Sequence, residues 1–445
     1  MNAAVSLWWR LRRADTADNR VPGVLAVASF AVATAALLVS VAGLMAFESR
    51  NAALSGGGGG GGLSIEQATI GDLYVTLAWI ATTCMVIPIL TLGGVAARLA
   101  IARRDQRLAA LRLAGATSGQ VTLMTLAEAA TQALVGALTG VVLYLAVLPL
   151  VARLTFQGRP FELSELVLPL WQTGAVVAAV VVVAVVSGAS SLARVAISPL
   201  GVAARTSPKR LSLLRVLVAA AAGGAWVLVI TPMKEPERVT IVLVLGAMIL
   251  AVNAVGPFVV MVAGRIASRV APTASTLLAA RRIADDPKST WRAVGALGLA
   301  VVVVGFTSLA QVDDPATPLE RYLADDLGTG ALVTLVIITV VGATSTGVVQ
   351  AARVLDQREQ YRALALAGTS ERSLHRARAL EVALPLAITI GLAAGFVLVL
   401  MLPFSSALDS GLVVRFVVTS AIAGAVVLAS VVASHSLVRT ASRVA

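Results

Sequence analysis

Long apolar stretches without a single charge alternate with short polar, mostly basic segments along the whole chain. Ten stretches stand out: 21–47, 73–97, 129–152, 166–193, 216–233, 239–264, 293–312, 327–352, 382–408 and 416–438. A helix needs about 20 mostly apolar residues to cross the hydrocarbon core, and these run from 18 residues at 216–233 to 28 at 166–193. Val, Ala and Leu dominate them, with none of the alternating polarity of a barrel strand. A backbone in lipid must satisfy its own hydrogen bonds, and such segments do so as helices. The pattern therefore predicts an all-α polytopic membrane protein with ten transmembrane helices. The first stretch exceeds the roughly 7–15 apolar residues of a signal peptide and follows 20 other residues, so it is expected to stay as a span.

Composition sharpens this reading. Of 445 residues 58% are hydrophobic and 13% charged, with a mean hydropathy of +0.90, which excludes both an ordinary soluble enzyme and a disordered chain. One cysteine, Cys84, and two histidines, His375 and His435, leave no disulfide and no plausible zinc or iron site. A net charge of +12 in so apolar a chain points to a membrane and not to nucleic acid. With the N-terminus inside, 28 of the 35 basic residues face the cytoplasm and 7 face out. By the positive-inside rule both termini are expected to be cytoplasmic. The longest outer loops are 48–72 and 313–326. Gly56 to Gly62 in the first read as a flexible linker. Asp313, Asp314, Glu320, Asp325 and Asp326 in the second read as a solvated rim, the alternative being a surface that attracts cations.

An internal repeat is the most informative feature. Residues 103–115, RRDQRLAALRLAG, superpose without gaps on 356–368, DQREQYRALALAG, at an offset of 253. At the same offset Glu128 meets Glu381, and each opens a span holding a GxxxG, Gly136/Gly140 and Gly391/Gly395. Such small-residue pairs predict that the third and ninth spans pack tightly against neighbours. In the first copy Leu108 and Leu111 share one helix face while Arg103, Arg104 and Arg107 project elsewhere. Gly115 and Gly368 suit the left-handed end of a helix. Thr117/Ser118 and Thr369/Ser370 offer N-caps to the helix that follows. Each copy thus reads as a helix, a sharp turn and a second helix projecting into the cytoplasm, which makes a docking surface. The second copy adds Arg358, Glu359, Arg362, Leu364 and Leu366 to that surface.

Few polar groups lie inside the spans. Asn253 precedes Gly256-Pro257 in the sixth span, where a kink could free carbonyls. Asn253 and Pro257 either line a substrate path or belong to interhelical packing held by the amide. Glu128 and Glu381 read as interfacial anchors pairing with the basic helices. No Walker A sequence, no G-x-S-x-G and no H-E-x-x-H occurs, so the chain itself is expected to be non-catalytic.

The repeated Leu-x-Leu-Ala-Gly followed by Thr/Ser, with basic residues before it, resembles the signature of FtsX-like permeases, the membrane subunits of MacB-type (type VII) ABC systems. Residues 278–295, LAARRIADDPKSTWRAVG, resemble the amphipathic elbow before the first span of each unit, and 194–205, RVAISPLGVAAR, the basic exit after the fourth. The resemblance implies two four-span FtsX-like repeats, 1–211 and 273–445, joined by a two-span connector at 212–272. Ten spans look most like the bacitracin-resistance (BceB) branch. The chain departs from the family in having Arg107 and Gln360 where a Glu is usual, and in lacking a large extracellular domain. The resemblance implies a permease in the bacterial cytoplasmic membrane that binds no cofactor itself. Two ABC ATPase subunits would dock per chain at the two repeated segments, holding ATP and Mg themselves. The expected activity is export or extraction of an amphipathic peptide, lipid or drug. The alternatives are a signalling subunit that moves no substrate and works with a sensor kinase or similar partner, and a secondary transporter built from repeats. Membrane lipid is an expected partner and nucleic acid is not.

Overall fold

A computed structural model describes residues 17–56, 65–102, 117–196, 213–230, 233, 237–309, 318–356, 371–402, 414 and 418. The chain order is α1 (Ala17–Gly56), α2 (Ile65–Ala102), α3 (Ser118–Val151), β1 (Thr155–Phe156), β2 (Arg159–Pro160), α4 (Leu163–Leu166), α5 (Leu170–Ala196), α6 (Leu213–Ile230), α7 (Arg238–Arg269), α8 (Ala274–Asp285), α9 (Pro287–Leu309), α10 (Pro318–Asp356) and α11 (Glu371–Met401). Seven helices among the described residues are long and apolar enough to cross a membrane: those of α1, α2, α3, α5, α7, α10 and α11. The protein is an all-α polytopic membrane protein. The apolar stretch at 216–233 appears as the shorter helix α6, that at 293–312 lies mostly on α9, and 416–438 lies almost wholly outside the described residues. Helices also outgrow their apolar stretches: α1 runs to Gly56 and α2 begins at Ile65, so most of the 48–72 loop is helical.

Two compact units are formed. One contains 1–39, 89–149 and 167–205; the other contains 40–88, 150–166 and 206–445. In the first, α3 lies against α1 through its small residues. A Cβ placed on Gly136 would sit 2.5 Å from the Phe30 Cβ and 2.8 Å from the Val27 carbonyl, and one on Gly140 2.6 Å from the Ala31 carbonyl. Only glycine permits this approach. Ala133 and Ala137 continue the same interface, closing a core with Phe30, Ala96, Ala97, Val180 and Ala184. The GxxxG of α11 differs: nothing among the described residues comes within 4 Å of a Cβ on Gly391 or Gly395.

In the second unit α9 packs on α10 and α11, α8 on α7 and α11, and α6 on α7. Polar groups fasten these apolar contacts where a backbone acceptor is in reach. Trp226 Nε1 donates to the Leu400 carbonyl, joining α6 to α11, and the Thr346 hydroxyl donates to the Ala293 carbonyl, joining α10 to α9. The turn from α8 into α9 follows from its sequence. Thr273 and Thr276 form a capping box at the start of α8. Asp286 accepts from the Ser289 amide, and Pro287 takes the first position of α9, where a missing N–H costs nothing.

The same unit holds a β-hairpin. Thr155 pairs with Pro160 and Phe156 with Arg159, leaving a two-residue turn whose residues, Gln157 and Gly158, both have positive φ, 56° and 74°. Two positive φ values match the right-handed twist of a tight hairpin. Glycine adopts this freely, whereas glutamine does so only when something holds it.

Candidate functional site

The docking positions Arg103, Arg104, Arg107, Leu108, Leu111, Gly115, Arg358, Glu359, Arg362, Leu364, Leu366, Gly368, Thr369 and Ser370 lie outside the described residues. Thr117 lies within them. Its hydroxyl accepts from the Gln120 amide at 3.3 Å and its own amide donates to the Gln120 side chain at 3.0 Å. This reciprocal box starts α3 immediately after the first repeated segment.

Glu128 is half-buried on α3 and is partnered. Glu381, on α11 just after the second repeated segment, is buried at 7% exposure, and Arg282 Nη1 of α8 donates to it at 2.8 Å. This cation stands on the elbow helix α8. An ion pair this enclosed is stable only while both members are present, since a lone buried charge cannot recover its hydration.

Asn253 and Trp291 form a second contact on the elbow. Trp291 Nε1 donates to Asn253 Oδ1 at 3.0 Å. The indole lies on two glycines: a Cβ on Gly256 would fall 2.2 Å from the ring, and one on Gly295 2.9 Å from it. Gly256 and Pro257 thus provide a bare seat on α7 for the first turns of α9, and α7 stays helical through Pro257. Beside this seat is a cavity of about 30 Å³ lined by Asn253, Trp291, Gly298, Thr389 and Phe396. That is room for about two waters. Trp291 was not singled out as a site residue in the sequence. The signal for it was its position after Asp286-Pro287, where a helix starts.

At the other end of the helices, the end that the charge count assigns to the outside, an arginine is buried. The Arg50 side chain is 2% exposed. Its Nη2 and Nε meet both oxygens of Glu165 at 2.8 and 3.0 Å, and it donates to the Phe156 and Pro160 carbonyls at 3.0 and 2.9 Å. Its guanidinium lies 4.2 Å from the centre of the Phe161 ring, a favourable cation–π distance. Glu165 sits on α4, ahead of the spanning helix α5. Phe47, Tyr74, Phe156 and Phe161 pack their rings together beneath the hairpin, with centroids 5.4 to 5.8 Å apart.

Asp326 corrects the solvated-rim reading for one member of the acidic loop. It is 7% exposed, and its Oδ2 accepts from the Tyr74 hydroxyl at 2.5 Å and from the Gln157 amide at 2.7 Å. Gln157, the donor of that amide bond, is the residue that adopts positive φ in the hairpin turn. Asp325, its neighbour, is exposed as expected of a rim residue. On the same side Trp79 Nε1 donates to Glu48 and Arg238 pairs with Asp72.

No curated protein and no solved structure matches the chain. A family model described as FtsX-like permease C-terminal matches residues 79–200, a range that takes in most of the apolar part of α2, the first repeated segment, α3, the hairpin and α5. Over that range, about a quarter of its length, the chain is similar to FtsX-like permeases.

Proposed function

We propose that this chain is the membrane subunit of an ABC transporter, coupling ATP hydrolysis by a separate nucleotide-binding subunit to export or extraction of an amphipathic substrate. The observation that carries the proposal is the family match at 79–200. It brackets the first repeated segment, whose second copy lies 253 residues on. FtsX-like permeases as a family pair with an ABC ATPase, and the two copies give such a partner two places to bind. ATP and Mg would be held by that partner, and the permease would reside in a bacterial cytoplasmic membrane.

The elbow contacts give the proposal a mechanical route. Force applied at 356–370 reaches α11, which begins at Glu371. Glu381 passes it to Arg282 on α8, and Trp291 passes it to Asn253 on α7. Each handover is a directional polar contact, so it resists sliding better than apolar packing alone.

The test is purification of the tagged chain from its native membrane, followed by an ATPase assay. An ATPase subunit is expected to co-purify, and Leu108→Asp with Leu111→Asp, or Leu364→Asp with Leu366→Asp, is expected to uncouple it by charging an apolar contact. A chain that purifies without any ATPase and still moves substrate would overturn the proposal.

A further inference from the structure

The hairpin at 155–160 has two anchors, and they are unequal. On one side Arg50 of α1 grips it with bonds to two of its carbonyls and to Glu165, and lies over Phe161. On the other side α10 offers a stripe of Tyr322, Asp326 and Gly330, one helical turn apart. Gly158, Gln157 and Phe156 lie against these in order: Gly158 approaches the Tyr322 ring, the Gln157 amide reaches Asp326, and Phe156 approaches Gly330. Among the described residues Asp326 is the hydrogen-bonding link in that stripe, and the same oxygen also ties Tyr74 of α2 to α10.

We propose that the hairpin is a releasable clasp. When closed, it holds the outer ends of α2 and α10 together through Asp326. It opens by giving up Asp326, and it travels with α1 because the Arg50 anchor stays made. Three observations converge on the direction of release. On the α1 side the buried Arg50 cation donates to two hairpin carbonyls and is itself fixed by two bonds to Glu165, whereas among the described residues one hydrogen bond, from the Gln157 amide, joins the hairpin to α10. Gln157 sits at positive φ, which a residue other than glycine adopts at a cost, so release of its amide lets the backbone relax and favours opening. Finally, α2 and α10 are the helices that run on into the two repeated segments, so their separation outside is linked to movement of those segments inside. The proposal rests on the permease reading for what drives opening, but not for the geometry of the clasp.

The experiment places spin-label pairs on the full chain in lipid nanodiscs, in a Cys84→Ala background and without any ATPase. One pair, Thr155→Cys with Arg321→Cys, spans the α10 side. The other, Ala52→Cys with Thr155→Cys, spans the α1 side, and all three sites are exposed. Asp326→Ala and Asp326→Asn are then introduced separately. Losing a hydrogen bond to a charged group is expected to raise the open fraction by about tenfold or more. The first pair should gain a longer-distance population while the second stays unchanged. If neither pair moves in either variant, there is no clasp. If both pairs lengthen together, the hairpin detaches as a whole and the unequal-anchor proposal is wrong. Should Asp326→Ala fail to insert, Asp326→Asn, which keeps the shape and weakens the bond to the Gln157 amide, decides alone. Because no ATPase is present, failure here leaves the ATPase-coupling proposal standing, and failure to find an ATPase partner leaves the clasp standing.

Discussion

At Gly136 and Gly140 the closeness of two helices is set by the lack of a single carbon atom. An added methyl would collide with the α1 backbone, so α3 would have to withdraw along its whole contact. Gly136→Ala and Gly140→Ala are each expected to cost about 1–3 kcal/mol, the usual range for overpacking. Thermal unfolding in detergent measures it, with Gly43→Ala, which meets nothing within 4 Å, as the tolerant control. Glu165 is expected to matter more. Glu165→Gln leaves the buried Arg50 charge unbalanced, a loss of about 3–5 kcal/mol for pairs of this kind. Thermal unfolding of wild type and Glu165→Gln in the same detergent measures it, and equal stability would refute the pairing. Arg50 itself was partly legible in the sequence. It is the lone cation of the 48–72 segment, on the side the charge bias disfavours, and a cation there needs a reason such as a buried carboxylate. Asp326 was not legible, because in sequence it is indistinguishable from Asp325, and only the hairpin and Tyr74 separate them.

Among elements, the joints are more informative than the helices. The Thr117 cap could be read in advance from a Thr placed after a helix-ending Gly, and Gln120 completes it. Thr117→Ala is expected to cost about 1 kcal/mol of helix stability, seen as faster amide hydrogen exchange confined to the first turn of α3. The elbow joint invites a double-mutant cycle between Trp291→Phe and Asn253→Ala. Both remove the same bond, so the double variant should be no worse than either single variant beyond lost packing, with a coupling of about 1 kcal/mol. Strict additivity would mean the bond contributes nothing. The hairpin went unread because it contains only two residue pairs, too few for any alternation to register. Its one signal was Gln157-Gly158 between Phe156 and Phe161. The long helices were legible for the opposite reason: lipid leaves the backbone no other way to satisfy itself. Their ends were not, because helix growth past the apolar stretch, as in α1 to Gly56, is decided by contacts such as Arg50 and not by hydropathy.

For the whole molecule, two expectations join charge and repeat. Cysteines at Ser207 and Ser370 should be shielded from an impermeant thiol reagent in intact cells, while one at Ser55 should react. Cys84 is buried and leaves the background dark. Labelling of Ser370 from outside would invert the topology. Native mass spectrometry of the solubilised complex is expected to give one chain with two ATPase subunits, since the repeated segment occurs twice and each copy is proposed to dock one. Two chains with only two ATPases would leave half of those segments idle and refute the count. The Tyr74–Asp326 bond carries a further consequence. It joins positions 252 apart, whereas the repeated segments are offset by 253. At that offset Leu327 stands where a second Tyr74 would be, and Leu73 where a second Asp326 would be. Two leucine side chains cannot form the bond, so this fastening is made once, and no counterpart can take over when it is lost.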